Sequence, residues 1–335
     1  MNGVTIDLSY LTDSVRLWKL AQDPLTDPQR IALKYGRQLA KTMQPLHLNR
    51  LTLLVKSAIP WIHLKNFHPD LDIDGDTPTD IIPQSGDRRW WYAAYSTLAL
   101  VGALKLRVVS YTCESNGWVF AHLTPKPGEG SLAENSLNLM AGHTDALHCP
   151  FPSEFDESRD LPPPAPDFVV LIGIRNPDKV NTLVARLSKL LENISSRAQD
   201  QLRQPIFLFN KQDTFDTSFG KLIGYPVLHR HSTYGDFIRF SSSRVAVDAQ
   251  RFPEGDQALT ELREALPKCR ETICVTPGDV LLINNRTALH GRDAILKHEY
   301  AGKTRWLVRT YGYRTDTPGR FKDKKRPHLL FCERA

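Results

Sequence analysis

Apolar residues recur at spacings of three and four through the first third of the chain. The segment W-W-Y-A-A-Y-S-T-L-A-L-V-G-A-L at 90–104 also indicates a helix, and the spacing itself is clear in L-T-D-S-V-R-L-W-K-L and I-A-L-K-Y-G-R-Q-L-A within residues 10–62. Such spacing places apolar side chains on one face of a helix. Thr26, Asp27 and Pro28 provide a cap followed by proline, which is typical of a helix start. The pattern therefore predicts helices over residues 10–62 and 90–104.

From about residue 106 the pattern changes to short apolar runs. These runs are L-R-V-V-S-Y, W-V-F-A-H-L, F-V-V-L-I-G-I, P-I-F-L-F, F-I-R-F, D-V-L-L-I-N-N and R-W-L-V-R-T-Y-G-Y. Turn signals such as P-K-P-G-E-G and P-G-D separate them. Two segments with helical spacing interrupt the series, around 180–191 and 257–266. We expect a mainly β fold with flanking helices, either a β-sandwich or a double-sheet jelly roll.

The chain shows neither an internal repeat nor a clear linker. We therefore expect a single domain over residues 1–335. It would comprise a mostly helical flank (1–105), a jelly-roll core (106–315) and a C-terminal tail (316–335). The segment P-S-E-F-D-E-S-R-D-L-P-P-P-A-P at 152–166 is too proline-rich for a helix or strand and indicates a loop or lid.

Composition and cysteine usage indicate a globular intracellular protein. Of the 335 residues 41% are hydrophobic and 24% are charged, which is typical of a soluble domain. No apolar run approaches the roughly 20 residues of a membrane helix, and no secretory signal is evident. The five cysteines form no C-x-x-C pair. We therefore expect reduced thiols and a cytoplasmic location.

The net charge is +6, but the basic residues are spread out except in F-K-D-K-K-R at 321–326. This distribution favours a solvated surface over a nucleic-acid interface, and it would also suit an anionic substrate or cosubstrate. We expect a small-molecule substrate and neither a nucleic-acid nor a membrane partner.

The stretch G-H-T-D-A-L-H at 142–148 contains two histidines and a carboxylate. If it is extended, His143 and Asp145 point to the same face, because alternate residues of a strand do so, and His148 faces away. Two ligands are too few for a metal site, so a third must come from elsewhere. H-x-D alone also fits a polar strand end without a metal.

The best candidate for the third ligand is His290, in L-L-I-N-N-R-T-A-L-H-G-R after a buried strand. Two histidines and one carboxylate are typical of non-haem Fe(II) oxygenases, and they also suit a catalytic zinc. His229 and His231 form another H-x-H pair, so composition alone leaves the ligand set open.

Two arginines in the first half of the last strand run favour an anionic ligand. In T-R-W-L-V-R-T-Y-G-Y-R, Arg305, Leu307 and Arg309 share one face of a strand. Inward-facing guanidinium groups are costly unless anions pair with them, and the neighbouring sequence offers no carboxylate on that face. Arginine binds a ligand carboxylate through two hydrogen bonds. The alternative is an outward-facing arginine stripe on the sheet.

Taken together, these motifs resemble the Fe(II)/2-oxoglutarate-dependent oxygenases. The resemblance is closest to the clavaminate synthase-like branch, which includes L-arginine β-hydroxylase and L-asparagine oxygenase. It extends from about residue 64 to 315. The motifs are L-K-N-F-H-P-D-L, N-G-W-V-F, L-T-P-K-P-G, G-H-T-D-A-L-H, D-F-V-V-L-I-G-I-R-N-P-D, P-G-D-V-L-L-I-N-N-R-T-A-L-H-G-R and R-W-L-V-R.

The resemblance implies a double-stranded β-helix (cupin-like jelly roll) that holds Fe(II) through three ligands: His143, Asp145 and His290. It also implies that Arg305 and Thr182 bind the cosubstrate 2-oxoglutarate. In the expected reaction, O₂ and 2-oxoglutarate give CO₂ and succinate while an unactivated C–H bond of a free amino acid or amino-acid-derived molecule is hydroxylated.

For the substrate, the resemblance places Arg309 at the amino-acid carboxylate. Around the substrate position the chain differs from the clavaminate synthase-like branch. That branch usually carries H-x-E, and Asp145 indicates hydroxylation or desaturation over halogenation. The family glutamine that binds the substrate amine is absent, and Glu114 is its nearest replacement. Where arginine hydroxylases carry acidic residues, this chain has F-I-R-F-S-S-S-R with Ser241, so only Glu114 or Asp236 would hold a cationic side chain.

Three other functions remain open from the sequence. The same cofactor chemistry could desaturate or cyclise a natural-product intermediate. It could instead oxidise a nucleic acid or a protein side chain, although no aromatic-plus-basic patch accompanies the charge. A non-catalytic jelly-roll binding protein is the third alternative, and the intact ligand set disfavours it.

Overall fold

The computed structural model describes residues 1–68, 73–125, 137–156, 158–296, 302–314, 323, 325–326 and 328–332. Half of the basic cluster at 321–326, most of the tail at 316–335, and parts of the motifs L-K-N-F-H-P-D-L and L-T-P-K-P-G lie outside the described residues.

Within these ranges the chain forms seven α-helices and seventeen strands. The helices are α1 (Thr12–Arg16), α2 (Pro28–Thr42), α3 (Pro45–Val55), α4 (Trp91–Ala103), α5 (Leu187–Glu192), α6 (Ser196–Leu202) and α7 (Pro253–Cys269). The strands are β1 (Val4–Asp7), β2 (Trp61–Lys65), β3 (Arg107–Tyr111), β4 (Phe120–Leu123), β5 (Met140–His143), β6 (Phe168–Arg175), β7 (Thr182–Arg186), β8 (Phe207–Asn210), β9 (Lys221–Tyr225), β10 (Leu228–His231), β11 (Gly235–Ile238), β12 (Val245–Ala246), β13 (Glu271–Ile273), β14 (Val280–Asn284), β15 (Ala288–Arg292), β16 (Trp306–Tyr313) and β17 (Leu329–Leu330).

A large sheet of eight strands runs in the order β1-β2-β14-β6-β16-β3-β17, with β4 also paired to β16. Every residue of β14 and β16 is buried. Because both faces of the sheet are covered, β14 begins as an unbroken apolar run, V-L-L-I. The run of β16 is interrupted by the buried polar residues Arg309 and Thr310.

A small antiparallel sheet of four strands, in the order β13-β7-β15-β5, packs against one face of the large sheet. Apolar side chains fill the space between the two sheets, among them Leu171 of β6, Leu307 of β16, Val184 of β7 and Ala288 of β15. Burial of this surface is the main favourable term that holds the two sheets together.

Helices cover the outer faces of both sheets. On the large sheet, Leu98 of α4 packs with Val170 and Ile172 of β6. Behind the small sheet, α5, α6 and α7 pack with Leu289 of β15. The sheets and helices together form a layered structure in which the two facing sheets are the central layers.

The prediction of a mainly β chain with flanking helices is confirmed at this level. The helix predicted around 180–191 is wrong in its first half, because Thr182–Arg186 is strand β7 and only Leu187–Glu192 is helical. Its apolar spacing fits either element, and pairing with β13 on one side and β15 on the other determines the strand. The expected helical flank also contributes strands β1 and β2 to the large sheet.

The expectation of reduced cysteines is wrong for one pair. Cys113 and Cys332 form a disulfide, with their Cα atoms 5.8 Å apart. Parallel pairing of β17 with β3 brings them together. This contact joins residues 219 positions apart, which cysteine spacing does not reveal. The other cysteines, Cys149, Cys269 and Cys274, are free.

Within the described part of the chain, none of the helices has the length and apolar character needed to cross a membrane.

Candidate active site

Two histidines face each other across neighbouring strands of the small sheet. Antiparallel pairing of β5 with β15 places His143 opposite His290, and their ring centroids are 4.4 Å apart. Strand β5 ends at His143, and the chain then turns over residues 145–148. The turn brings Asp145 Oδ1 to 3.1 Å from His143 Nε2 and 3.6 Å from His290 Nε2. The fold thus brings the three residues singled out in the sequence together.

These three side chains fit a metal ion. One ligand atom from each lies within 4.8 Å of the others. Neighbouring ligands of an octahedral metal with bonds of about 2.1 Å are about 3 Å apart. The observed separations therefore need only a small adjustment to accept an ion. Asp145 Oδ2 has no hydrogen-bond partner in the part of the chain that the structure describes.

The protonation states also suit a metal. Burial alone would raise the pKa of the Asp145 carboxyl, but His290, His143 and Arg309 together hold that pKa well below its ordinary value. Burial lowers the pKa of His290 to about 3. At neutral pH the carboxylate is therefore charged and this imidazole is neutral, which are the forms that bind metals.

The backbone around Asp145 is held by two amide side chains. Asp145 N donates to Asn285 Oδ1 at 2.9 Å, and Asn285 Nδ2 donates to the carbonyl oxygens of Asp145 at 3.0 Å and Pro166 at 2.9 Å. Ala146 N donates to Gln212 Oε1 at 2.6 Å. Sequence reasoning missed Asn285 and Gln212, because their targets lie 140 and 66 residues away.

The predicted loop at 152–166 supports this turn. It contains a short 3₁₀ helix at Pro152–Glu154, and no other helix or strand is described in it. Glu154 forms an ion pair with the buried Arg239. Residues 161–166 are buried, and the carbonyl of Pro166 bonds to Asn285. The second half of the segment is therefore packed beneath the site and is not an open lid.

Arg305 lies just before β16 and extends toward Thr182 on β7. Its Nη2 is 3.4 Å from Thr182 Oγ1, and its Nε has no hydrogen-bond partner among the described residues. The residue is 5% exposed. Burial, together with the charge of Arg292, lowers the pKa of Arg305 to about 9. Burial of a guanidinium costs free energy unless an anion pairs with it, so this geometry suits a carboxylate ligand.

Arg309 lies on the same strand face and is already paired. Its Nη2 donates to Glu114 Oε1 at 2.5 Å, and its Nη1 is 3.7 Å from Asp145 Oδ2. Glu114 also accepts hydrogen bonds from Tyr311 Oη at 3.2 Å and Thr214 Oγ1 at 3.4 Å. The carboxylate that the neighbouring sequence lacks thus comes from a residue 195 positions away. Arg305 and Arg309 are both buried, so the alternative of an outward-facing stripe is wrong.

A cavity opens beside these groups. Six of the residues singled out in the sequence line it: His143, Asp145, Thr182, His290, Arg305 and Arg309. The rest of its described lining is Leu123, Met140, Leu171, Gly291, Arg292 and Leu307. Arg292 is the polar member that sequence reasoning missed. Its position two residues after His290, on the same strand face, was the available signal.

The other candidates lie outside this lining. Glu114 stands behind Arg309, and Ser241 pairs with His143 through the backbone. Asp236 forms an ion pair with Arg203 at 2.9 Å. Glu114 and Asp236 are therefore engaged in ion pairs with other residues, and Ser241 meets the site through its backbone.

Three further histidines noted in the sequence do not join the candidate ligands. His148 is buried against Phe215, with ring centroids 4.7 Å apart. His229 is 3.4 Å from the carboxylate of Glu154, and His231 packs on Tyr234. His148 was set aside on the assumption of an extended segment, whereas the structure removes it through the turn at 145–148.

Solved structures of two oxygenases share this fold. Asparagine oxygenase in complex with Fe(II), 2S,3S-3-hydroxyasparagine and succinate matches with a TM-score of 0.78 at 20% identity, over 98% of this chain and 99% of that chain. Non-heme iron oxygenase OrfP in complex with Fe and alpha-ketoglutaric acid matches with a TM-score of 0.78 at 20% identity, over 97% of this chain and 99% of that chain.

Two curated proteins are similar in sequence. L-lysine 3-hydroxylase of Catenulispora acidiphila is 25% identical over 222 residues, which cover 64% of this chain and 57% of that protein. L-asparagine oxygenase of Streptomyces coelicolor is 27% identical over 201 residues, which cover 59% of this chain and 55% of that protein. The chain thus spans a little over half the length of these relatives.

The family model described as "Taurine catabolism dioxygenase TauD, TfdA family" matches residues 126–311. The match covers more than half of the chain and includes all three candidate metal ligands. The chain therefore belongs to the TauD, TfdA dioxygenase family.

Proposed function

We propose that the protein is an Fe(II)/2-oxoglutarate-dependent dioxygenase that hydroxylates an unactivated C–H bond of a free amino acid or an amino-acid-derived small molecule. The observation that carries the proposal is the buried cluster of His143, Asp145 and His290 in one cavity with Arg305, whose guanidinium has no carboxylate partner among the described residues. A metal site beside an anion site is what a metal-bound keto acid with a distal carboxylate requires.

Three side chains would hold the iron: His143, Asp145 and His290. Three ligands on one face of an octahedral ion leave positions for a keto acid and O₂. When bound, iron would let O₂ react with 2-oxoglutarate, which gives succinate and CO₂ and leaves the second oxygen atom to oxidise the substrate C–H bond. The charged Asp145 offsets one of the two positive charges of the ion, and Asn285 fixes the backbone from which Asp145 extends.

The cosubstrate would be oriented by Arg305 and Thr182. Arg305 would pair with the distal carboxylate, and Thr182 Oγ1, which already accepts from Arg305, would donate to the same group. Because the two residues come from different sheets, the carboxylate would bind where β7 faces the start of β16. Apolar residues of the cavity, Leu171 and Leu307, would exclude water from the rest of the molecule.

The ion pair of Arg309 and Glu114 favours a substrate with a zwitterionic head group. Arg309 would take the α-carboxylate, and Glu114, its present partner, would approach the α-ammonium group. One cation and one anion side by side match an amino acid better than a simple anion, since binding would leave neither charge unpaired. Ser241, next to His143 through the backbone, would border the substrate. The names of the similar curated proteins support an amino-acid substrate.

The same proposal includes the finer structural expectations. The two facing sheets would be the double-stranded β-helix of a jelly roll, within a single domain spanning residues 1–335. A small-molecule substrate without a nucleic-acid partner and a cytoplasmic location remain predictions.

The test is a screen for succinate formation. The protein would be incubated with Fe(II), 2-oxoglutarate and each common amino acid, and products would be analysed by mass spectrometry. We expect at least one amino acid to stimulate succinate release and to gain 16 mass units, whereas loss of 2 mass units would indicate desaturation. His290→Ala should abolish turnover and weaken Mn(II) binding by at least about 100-fold. His229→Ala, outside the cavity, is the control and should do neither. Full turnover in His290→Ala would refute the ligand assignment.

A further inference from the structure

Arg292 lines the cavity beside Arg305 and has no part in the function proposed above. We propose that Arg292, together with Arg305, binds the distal carboxylate of 2-oxoglutarate and makes the site selective for dicarboxylic 2-oxo acids. This inference rests on the proposed function, and it assigns the specificity for the cosubstrate to a pair of arginines.

Strand geometry directs Arg292 toward the cosubstrate. On β15, His290 and Arg292 are alternate residues and therefore share a face. Strand pairing places Arg292 directly opposite Thr182 on β7. Thr182 Oγ1 in turn accepts a hydrogen bond from Arg305. The two guanidinium groups and the threonine hydroxyl thus form one wall of the cavity, next to the candidate iron ligand.

Arg305 lacks an acidic partner on this wall of the cavity, as far as the described residues show. The side chain of Arg305 is buried, its Nε has no partner, and none of the described acidic residues forms an ion pair with it. The positive charge of Arg292 adds repulsion, which contributes to the lowered pKa of Arg305. A carboxylate bound between the two cations would remove this repulsion and provide the missing counterion.

Arg292 is held in place before any ligand binds. Its Nη2 donates to the carbonyl oxygen of Asn138 at 2.8 Å, and its Nε donates to that of Asp293 at 3.2 Å. Both acceptors are backbone carbonyl groups, and together they hold the guanidinium in place. A side chain fixed in this way loses little conformational entropy when it binds a ligand.

The same contacts suggest a purely structural role for Arg292, which the experiment must distinguish from carboxylate binding. Arg292 could act only as an anchor for Asn138, which precedes the strand that carries His143. Loss of an anchor would disturb the metal ligand and every 2-oxo acid alike. Loss of a carboxylate-binding group would instead weaken only those ligands that have a distal carboxylate.

The experiment compares two ligands by calorimetry on the Mn(II)-loaded protein. The ligands are 2-oxoglutarate and 2-oxopentanoate, which has the same chain length without the distal carboxylate. In the wild type we expect 2-oxoglutarate to bind at least about 100-fold more tightly, because 2-oxopentanoate has no distal carboxylate to pair with the buried Arg305. Arg292→Gln should weaken the binding of 2-oxoglutarate by about 10- to 100-fold. It should change the affinity for 2-oxopentanoate by less than about twofold and leave the affinity for Mn(II) unchanged. Arg292→Lys should give an intermediate loss.

Two further variants complete the design. Arg305→Gln should weaken the binding of 2-oxoglutarate more than Arg292→Gln does. The double variant should lose less affinity than the product of the two single fold-losses, because both groups contact one carboxylate. Arg230→Gln, whose side chain is 75% exposed, is the matched control and should bind both ligands as the wild type does.

Several outcomes would overturn the inference. An unchanged 2-oxoglutarate affinity in Arg292→Gln would do so, as would parallel weakening of Mn(II) and both 2-oxo acids, which would identify an anchor. If Arg292→Gln does not fold, Arg292→Lys with wild-type affinity for 2-oxoglutarate would also refute it. Failure of the wild type to bind 2-oxoglutarate would refute the proposed function and this inference together. Sensitivity of Arg305→Gln alone would refute only this inference.

Discussion

At the scale of single residues, the pair of Glu114 and Arg309 determines the charge that a substrate head group meets. The two side chains are buried, and Arg309 lies close to Asp145 as well. Without Glu114, Arg309 would keep the longer contact with Asp145, a carboxylate that a bound metal would also use. The ion pair therefore stabilises the empty site and sets the polarity of the substrate position at the same time.

Glu114→Gln should destabilise the folded protein. Arg309 would lose its shortest ion pair and keep the longer, 3.7 Å contact with Asp145. Loss of one partner of a buried ion pair costs about 3 kcal/mol, and we expect the free energy of unfolding to fall by up to that amount in chemical denaturation. Glu254→Gln is the matched control, because Glu254 pairs with Arg197 at the same 2.5 Å but at the surface. Water screens that pair, so its loss should change stability little. Equal effects in the two variants would contradict the energetic importance of burial at Glu114.

The residues that sequence analysis could predict share one property: their partners lie nearby in the chain or their type implies a ligand. Arg305 and Arg309 share a strand face, as the alternation predicts. His143 and Asp145 are two positions apart, but the turn after β5 brings them together, not the strand alternation from which the pair was predicted. Glu114 was noticed only because it lies near the place of the family glutamine that binds the substrate amine. The structure pairs it with Arg309, 195 residues away in the chain. Asn285 was missed because an amide that holds a distant backbone leaves no local pattern.

At the scale of elements, helices and central strands were predictable, whereas pairing was not. The apolar periodicity of α2 and α7 and the nearly continuous apolar runs of β6 and β14 are local signals. Strand β7 was mistaken for a helix because its apolar residues fit both periods, and only its neighbours in the small sheet decide between them. The opposition of His143 and His290 depends on this sheet, so the cavity geometry was beyond sequence reasoning.

The crossing of α2 and α4 provides a test at this scale. A Cβ atom at Gly102 would lie 1.9 Å from the carbonyl oxygen of Ala32, so the helices approach closely only because glycine is present. Gly102→Ala should push α2 away from α4 and lower the free energy of unfolding by about 1–3 kcal/mol or more. Gly220→Ala is the control, since no heavy atom lies within 4 Å of its added Cβ. A Gly102→Ala variant as stable as the wild type in thermal and chemical unfolding would show that the crossing can relax.

At the scale of the whole molecule, burial of neutral histidines links stability to pH. Burial lowers the pKa of His122 to about 4, that of His148 to about 3 and that of His328 to about 4, and nearby basic residues add to the effect at His148 and His328. In the unfolded chain these groups titrate near 6.5. Below pH 6.5 these histidines therefore bind protons in the unfolded state but stay neutral in the folded state. Folding becomes less favourable as the pH falls toward 4.

The free energy of unfolding should thus decrease between pH 7 and pH 5, by up to about 2 kcal/mol for each buried histidine. Carboxyl groups with lowered pKa values act in the same direction, but only near or below pH 4, so this window isolates the histidines. His148→Phe keeps an aromatic ring against Phe215 and removes one titrating group. Urea denaturation at the two pH values should therefore show a loss about 2 kcal/mol smaller in this variant than in the wild type. A wild-type stability that does not change between pH 7 and pH 5 would mean that these histidines are not held neutral by burial. An equal loss in both proteins would exclude His148 as a source, because its ring would then be free to take up a proton in the folded state.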